Sequence, residues 1–129
     1  MPYIHAKVDE LEGTAKVGSR QCVALIIHYS NAPNTAQWTQ GKPVLGNLAI
    51  AKGTAIATFT DGTYASRGTG NHAAYYLSQD AGGIWVMDQW ASDTQKPTVS
   101  KRYLRRKGKN ARGAYIDPSN NAEAYSIIE

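Results

Sequence analysis

The chain of 129 residues has one cysteine, 14 Lys and Arg against 10 Asp and Glu, and 42% hydrophobic residues. A chain of this length buries roughly two thirds of the surface that its unfolded form exposes, which predicts a single domain over 1–129. The lone Cys22 excludes an intramolecular disulfide scaffold. The longest apolar run, Cys22–Ile27, is too short to span a bilayer, so we expect no membrane insertion.

The formal net charge of +4 favours a polyanionic partner, such as nucleic acid, a membrane surface or a cell wall. The first residues, MPYIHAKVDELEG, lack the basic segment and apolar stretch of a secretory signal peptide. We therefore expect synthesis in the cytoplasm and, for a function outside it, export by a route other than Sec.

The first predicted element is a helix that has its N-cap at Ser19 and runs to about Tyr29. Its apolar residues surround most of the circumference, so we expect it to be largely buried. It ends before the turn cluster Ser30–Asn34, because the proline there cannot continue a helix. A short helical turn over 35–40 is expected next, ending at Gly41.

From Gly53 onward the pattern changes from helical to β. A hairpin signature, Gln79–Gly83, separates two of the strands, and Ala122–Ile128 fits either a last strand or a helix. Helices followed by an antiparallel sheet place the chain in the α+β class. The predicted strands are Thr54–Phe59, His72–Leu77, Ile84–Trp90, Val99–Arg106 and Gly113–Ile116.

Cys22 lies in the first turn of the predicted helix. There the positive end of the helix dipole and the free N–H groups favour a thiolate and lower the pKa of a cysteine. The alternative is a buried structural cysteine, because free cysteine is among the most buried residue types and Cys22 lies in an apolar run.

A histidine and an aspartate on neighbouring predicted strands are candidates for the same site. His72 begins its strand at an end of the sheet, where a general base is accessible, and Asp88 interrupts an apolar run, where a buried carboxylate needs a partner. A three-residue hairpin loop, Asp80–Gly82, makes His72 and Asp88 diagonal neighbours on one face. A two-residue loop puts them on opposite faces.

Cys22, His72 and Asp88 together are predicted to be a nucleophile, a base and an orienting group for amide cleavage. Backbone N–H groups at the start of the helix, assisted by Gln21, are candidates for stabilising the oxyanion. No metal site or other cofactor is expected, because the histidines and Cys22 show no ligand spacing.

The tract Lys101–Lys109, together with Arg112, holds half of the basic residues. It suggests a nucleic-acid patch in which Tyr103 stacks on bases. A solvated hairpin and a contact with an anionic cell wall are the alternatives.

Four segments stand in a fixed order: SRQCVALI, then GTAIATF with DGTY, then GNHAAYYL, and GIWVMDQW. This ordered set resembles small bacterial cell-wall amidases of the papain-like NlpC/CHAP superfamily, and above all the amidase effectors delivered by type VI secretion. The resemblance covers Ser19–Trp90. It implies a cysteine-bearing helix packed on an antiparallel sheet, and hydrolysis of an amide bond in the peptidoglycan stem peptide or cross-link.

Carried onto this sequence, the resemblance implies Cys22 as the nucleophile, His72 as the base and Asp88 as the orienting residue. Members of the superfamily vary in the third position, and Gln89 is adjacent to Asp88. Gln89 is therefore the alternative to Asp88 in the third position, and Gln21 and Gln89 are also candidates for contacts with the substrate or the oxyanion.

The leading hypothesis is an antibacterial, cysteine-dependent peptidoglycan amidase that acts in the periplasm of a target cell or after secretion. It predicts a cognate immunity protein that covers the Cys22 cleft. One alternative keeps the triad in a transglutaminase-like or deamidating toxin that modifies proteins. The other, which the sequence favours less, is a non-catalytic module that binds nucleic acid through Lys101–Arg112.

Overall fold

The computed structural model describes residues 2–67, 69–91 and 94–129. In this part of the chain one α-helix packs against a six-stranded sheet whose neighbouring strands are all antiparallel, in the order β1-β6-β2-β3-β4-β5. The predicted α+β class is therefore confirmed. The elements are α1 (Cys22–Ser30), β1 (Gln40–Pro43), β2 (Ala55–Thr58), β3 (Ala73–Asp80), β4 (Gly83–Asp88), β5 (Ser100–Arg105) and β6 (Tyr125–Ile128).

The helix begins later than the sequence predicts. Arg20 has a φ of 70°, in the left-handed region, so the chain turns there and Ser19 is not the N-cap. Gln21 is the N-cap, and Cys22 is the first residue of α1. Asn31 ends the helix in a left-handed conformation, as the predicted turn requires.

The expectation that this helix is largely buried is wrong. Only Leu25 and Ile26 are buried, whereas Ile27 and His28 face solvent. The buried side packs on β3, where the hydroxyl of Tyr75 donates to the helix carbonyls of Leu25 and Ile26 at 3.3 and 3.2 Å. The sheet thus holds the helix by its middle and leaves its first turn at a surface.

The sheet is buried on both faces. One apolar cluster lies on the side of α1, and a second cluster fills the opposite face. All four residues of β2 are buried, because this strand lies in the interior of the sheet between β6 and β3. The first cluster includes Leu25, Trp38, Tyr75 and Met87, and the second includes Ile56, Ile84, Val86 and Leu104.

The hairpin between β3 and β4 differs from the predicted one but reaches the same result. Asp80 pairs with Gly83, so the turn has two residues instead of three. The register then shifts between Tyr76 and Ser78, because Leu77 forms a β-bulge. This extra residue reverses the effect of the shorter turn, and His72 and Asp88 lie on the same face.

Three other predicted segments need correction. The helical turn over 35–40 stops at Gln37, and Gln40 already belongs to β1, which pairs with β6. Gly113–Ile116 forms no strand and contributes one bridge, between Tyr115 and Lys109. The segment Ala122–Ile128 is both a short 3₁₀ turn and a strand.

Candidate active site

Cys22 lines a cleft of about 720 Å³. As the first residue of α1 it stands where backbone N–H groups have no acceptor inside the helix, and the Gln21 side chain does not cap them. The thiol is half-buried. The cleft lining includes Gln21, Cys22, Tyr64, Arg67, His72 and Trp90.

His72 and Asp88 form a buried pair next to this cysteine. The Nε2 of His72 lies 2.7 Å from the Oδ2 of Asp88, and the two side chains are 7% and 0% exposed. A carboxylate only accepts, so Nε2 carries the proton and Nδ1 is the ring nitrogen left for Cys22. The structure therefore brings together the three residues that the sequence predicts as a triad.

Two cations that no sequence pattern assigned to the site also contact the Asp88 carboxylate. The Nε of Arg102 donates to the Oδ2 of Asp88 at 2.6 Å, and the Nζ of Lys96 lies 3.0 Å from its Oδ1. Lys96 is itself buried and donates to the carbonyl of Ser100. The two cations share this one carboxylate, which lies beside the buried Lys96 and the partly buried Arg102.

Trp90 packs between the two cations and the histidine. Its ring centroid lies 4.8 Å from the guanidinium carbon of Arg102 and 4.9 Å from the Nζ of Lys96. The ring of His72 approaches it edge-on at 6.2 Å. Trp90 thus fixes the ring plane of His72 by packing, while Asp88 fixes it by a hydrogen bond.

Tyr64 is a further polar neighbour of the thiol. Its hydroxyl lies 3.6 Å from the Sγ of Cys22 and accepts from the Nδ2 of Asn71 at 3.3 Å. Tyr64 follows a turn, Thr60–Thr63, and is the last residue of the DGTY segment in the ordered set of motifs. The motif thus marked this segment, but the residue types alone did not indicate that the tyrosine contacts the thiol.

The electrostatic setting favours a thiolate and an imidazolium. Burial alone would raise the pKa of the Cys22 thiol, but the hydrogen bond and charge of His72 hold it below its usual value. Burial would lower the pKa of His72, yet its bonds to Asp88 and Cys22 raise that pKa to about 8. Burial likewise opposes ionisation of Asp88, whose pKa falls to about 2 because of the His72 bond and the surrounding cations.

The two predicted glutamines lie in different surroundings. Gln21 is exposed and lines the cleft, directly before Cys22. Gln89 is fully buried and does not line the cleft; it accepts from the N–H of Val17 at 3.0 Å and donates to the carbonyl of Gln21 at 2.8 Å. A direct contact between Gln89 and substrate is therefore not supported, and its side chain holds the residue that caps the helix.

The basic tract does not form a continuous unpaired surface. Arg102 points to the buried Asp88, Lys107 pairs with Asp117 at 2.7 Å, and Arg106 lies 3.7 Å from Glu123. Within the described ranges no group of three or more His, Cys, Asp and Glu is placed to hold a metal ion. No helix there is long and apolar enough to cross a membrane.

Comparison with known proteins places these residues in a family. A type VI secretion amidase effector 2 protein from Salmonella typhi is 52% identical over the full length of both chains. A domesticated amidase effector 2 from Ixodes scapularis is 38% identical over 69% of this chain and 61% of its own. The solved structure of a type 6 secretion amidase effector 2 (Tae2) superposes with a TM-score of 0.92 at 51% identity, covering 98% of this chain and 94% of the other.

The resemblance found in the ordered motifs is thus confirmed and extended beyond Trp90. The family model of domesticated amidase effector 2 matches residues 4–128, which include β6 and also β5, the strand of Arg102. The chain belongs to the domesticated amidase effector 2 family.

Proposed function

We propose that the chain is a cysteine amidase that cleaves an amide bond in the peptide part of peptidoglycan and is delivered as a type VI secretion effector. The observation that carries this proposal is the cleft in which Cys22 meets the buried His72 and Asp88 pair. The names of the relatives support the amidase activity and the delivery route.

The first half of the reaction is acylation. The Cys22 thiolate attacks the amide carbonyl carbon, and the carbonyl oxygen becomes an oxyanion near the free N–H groups of the first helical turn. The imidazolium of His72 gives its Nδ1 proton to the leaving amine. The C–N bond then breaks and leaves a thioester on Cys22.

The second half is hydrolysis of that thioester. Neutral His72 takes a proton from water, whose oxygen attacks the thioester carbon. The C–S bond breaks, the acid product leaves, and the thiolate and imidazolium are restored. Asp88 stays ionised throughout, because the His72 bond together with Arg102 and Lys96 holds its pKa low against burial, and it keeps Nε2 protonated so that Nδ1 faces the sulfur.

Gln89 is proposed as a positioning residue and Gln21 as a contact for the substrate or oxyanion. The amide of Gln89 connects Val17 with the carbonyl of Gln21, and Lys16 donates to the Trp90 carbonyl nearby. These bonds join the segment before Cys22 to the end of β4, where Asp88 lies. Because Asp88 in turn holds His72, these bonds set the position of the nucleophile relative to the base.

We propose that the protein is delivered into a target cell and acts in its periplasm, where peptidoglycan lies. A protein that degrades the wall of its own producer requires an inhibitor, and we propose an immunity protein that covers the Cys22 cleft. That residues 1–129 form one catalytic domain also stays a prediction.

Mass spectrometry of muropeptides after digestion of purified peptidoglycan tests the proposed function. We expect new products that differ by one water from their precursors, with a free amine and a free carboxylate at one peptide bond. A deamidating or transglutaminase-like toxin would instead modify glutamine side chains of a protein substrate and leave peptidoglycan unchanged. DNA or RNA binding that falls steeply with salt, without cleavage, would favour the nucleic-acid module.

The pH dependence of kcat/KM should be bell-shaped. Activity requires the thiolate with the imidazolium, so it is highest between the lowered pKa of Cys22 and the pKa of His72 at about 8. Above that pH His72 loses its proton, and kcat/KM should fall about tenfold per pH unit. The rate of Cys22 alkylation by iodoacetamide reports the acid limb separately, and a rate that rises only near the pKa of a free thiol would contradict the ion pair.

A further inference from the structure

Among the described residues that line the candidate cleft, Arg67 is the one with a permanent charge. Among the described residues that line it there is no lysine, no aspartate and no glutamate. His72 is in contact with Cys22 and Asp88, and Arg102 and Lys96 share the Asp88 carboxylate, so each of these cations has an opposite charge beside it. Arg67 forms no ion pair within the parts of the chain that the structure describes, so its charge remains available to a ligand.

The guanidinium of Arg67 is held in place by its own loop. Its Nε donates to the carbonyl of Thr69 at 3.2 Å and its Nη2 to the Oγ1 of Thr60 at 3.3 Å. Gly70, at a φ of +78°, packs closely enough that an added Cβ would lie 3.8 Å from both nitrogens. These contacts orient the planar group, and within the described part of the chain Nη1 has no acceptor.

Arg67 also stands where two cavities meet. Besides the Cys22 cleft it lines a second cavity of about 470 Å³, which lies between the end of β2 and the segment 113–118. A peptide that extends from the cleft into this cavity would pass the guanidinium. Arginine suits a carboxylate at such a point, because its fork of N–H donors matches the two oxygens.

We propose that Arg67 binds a free carboxylate of the substrate peptide and makes the enzyme selective for acidic peptides over their carboxamide forms. The inference rests on the proposed function, since stem peptides containing D-glutamate and diaminopimelate carry such carboxylates. The bound carboxylate accepts from the guanidinium and neutralises a charge that has no ion-pair partner among the described residues. Arg67 is a specificity residue in this scheme, because it acts by binding and exchanges no proton.

The test measures binding in a protein that does not cleave. Cys22→Ala protein is titrated by calorimetry with purified muropeptide dimers and with the same dimers after conversion of their carboxylates to carboxamides. We expect the acid form to bind about 10- to 100-fold more tightly, the size of a charge-assisted hydrogen bond pair. Adding Arg67→Gln should remove that preference, and Arg67→Lys should keep part of it because the charge is retained.

Arg105→Gln, at the exposed end of β5, is the matched control and should leave the preference unchanged. Equal affinity for both forms in the Cys22→Ala protein, a preference that survives Arg67→Gln, or no binding of the acid form would overturn the inference. Binding with the expected preference but no cleavage by the wild-type chain would contradict the proposed function alone. Cleavage of both forms with equal kcat/KM would contradict the role of Arg67 alone.

Discussion

Replacement of Cys22 by alanine should lower the rate of peptidoglycan cleavage by about four orders of magnitude or more, since no other group in the cleft replaces the Sγ as nucleophile. The fold should remain intact. Cys22 is half-buried at the first position of α1, and Tyr75 anchors the helix to β3 through the carbonyls of Leu25 and Ile26, so we expect a change in the free energy of unfolding of about 1 kcal/mol or less.

The measurement is the release of muropeptides over time, with circular dichroism and thermal unfolding on the same samples. Cys22→Ser is the matched variant: it replaces the sulfur by an oxygen nucleophile in a side chain of similar size, but its hydroxyl is far less acidic than the thiol. Its rate should lie well below that of the wild type. A Cys22→Ala protein that cleaves at the wild-type rate would remove the cysteine mechanism altogether.

Asp88→Asn should impair both activity and stability. The asparagine amide is neutral, so the charges of His72, Arg102 and Lys96 lose their shared carboxylate in a site where the Asp88 side chain is 0% exposed. Breaking a buried ion pair of this kind costs roughly 3–5 kcal/mol. Loss of the imidazole orientation should reduce kcat about 10²- to 10⁴-fold in the fraction that remains folded.

Denaturant unfolding and single-turnover rates at low temperature separate these two effects. Asp9→Asn is the matched control, because Asp9 also forms an ion pair, with Lys52 at 2.6 Å, but both side chains are more than half exposed. An exposed pair contributes at most about 1 kcal/mol, and Asp9 does not line the cleft. If Asp88→Asn were as mild as Asp9→Asn, the orienting role of Asp88 would be wrong.

Asp88 and its cations differ in how well their positions could be predicted from the sequence. Its place inside an apolar run predicted a partner, and that prediction is confirmed, but one partner was expected and three are present. The inward position of Arg102 could have been predicted from strand alternation, because Arg102 lies two residues from the buried Leu104 on β5 and so shares its face of the sheet. The high density of positive charge in the tract Lys101–Lys109 predicted an exposed basic surface instead. Lys96 lies in a loop with no periodicity, and its burial depends on tertiary packing alone.

The start of α1 was misplaced for a local reason. Ser19 has the side chain of a good N-cap, but Gly18 and Arg20 both adopt positive φ, so the backbone turns before the helix can begin. A left-handed arginine is uncommon, and no propensity scale signals it. With this start of the helix, Cys22 is the first helical residue, where the backbone N–H groups have no acceptor inside the helix and favour a thiolate.

The order of Cys22, His72 and Asp88 along the chain was visible in the sequence, whereas their separation was not. The distances depend on buried contacts between remote segments, such as the bonds of Gln89 to Val17 and Gln21. A glutamine beside an aspartate gives no sign of such contacts. Residues that act by holding others in place are therefore the ones that sequence patterns reveal least.

The bulge at Leu77 divides the hairpin into two parts with different tolerance to changes in length. On the side of the turn, a residue gained at Ala81 lengthens only an exposed connection, since the paired residues Asp80 and Gly83 can remain opposite each other. On the side of the cleft, loss of one residue between Leu77 and His72 would carry the imidazole to the other face of the sheet. Natural variation and loop engineering in this hairpin should therefore be confined to the turn, with the bulge as the boundary.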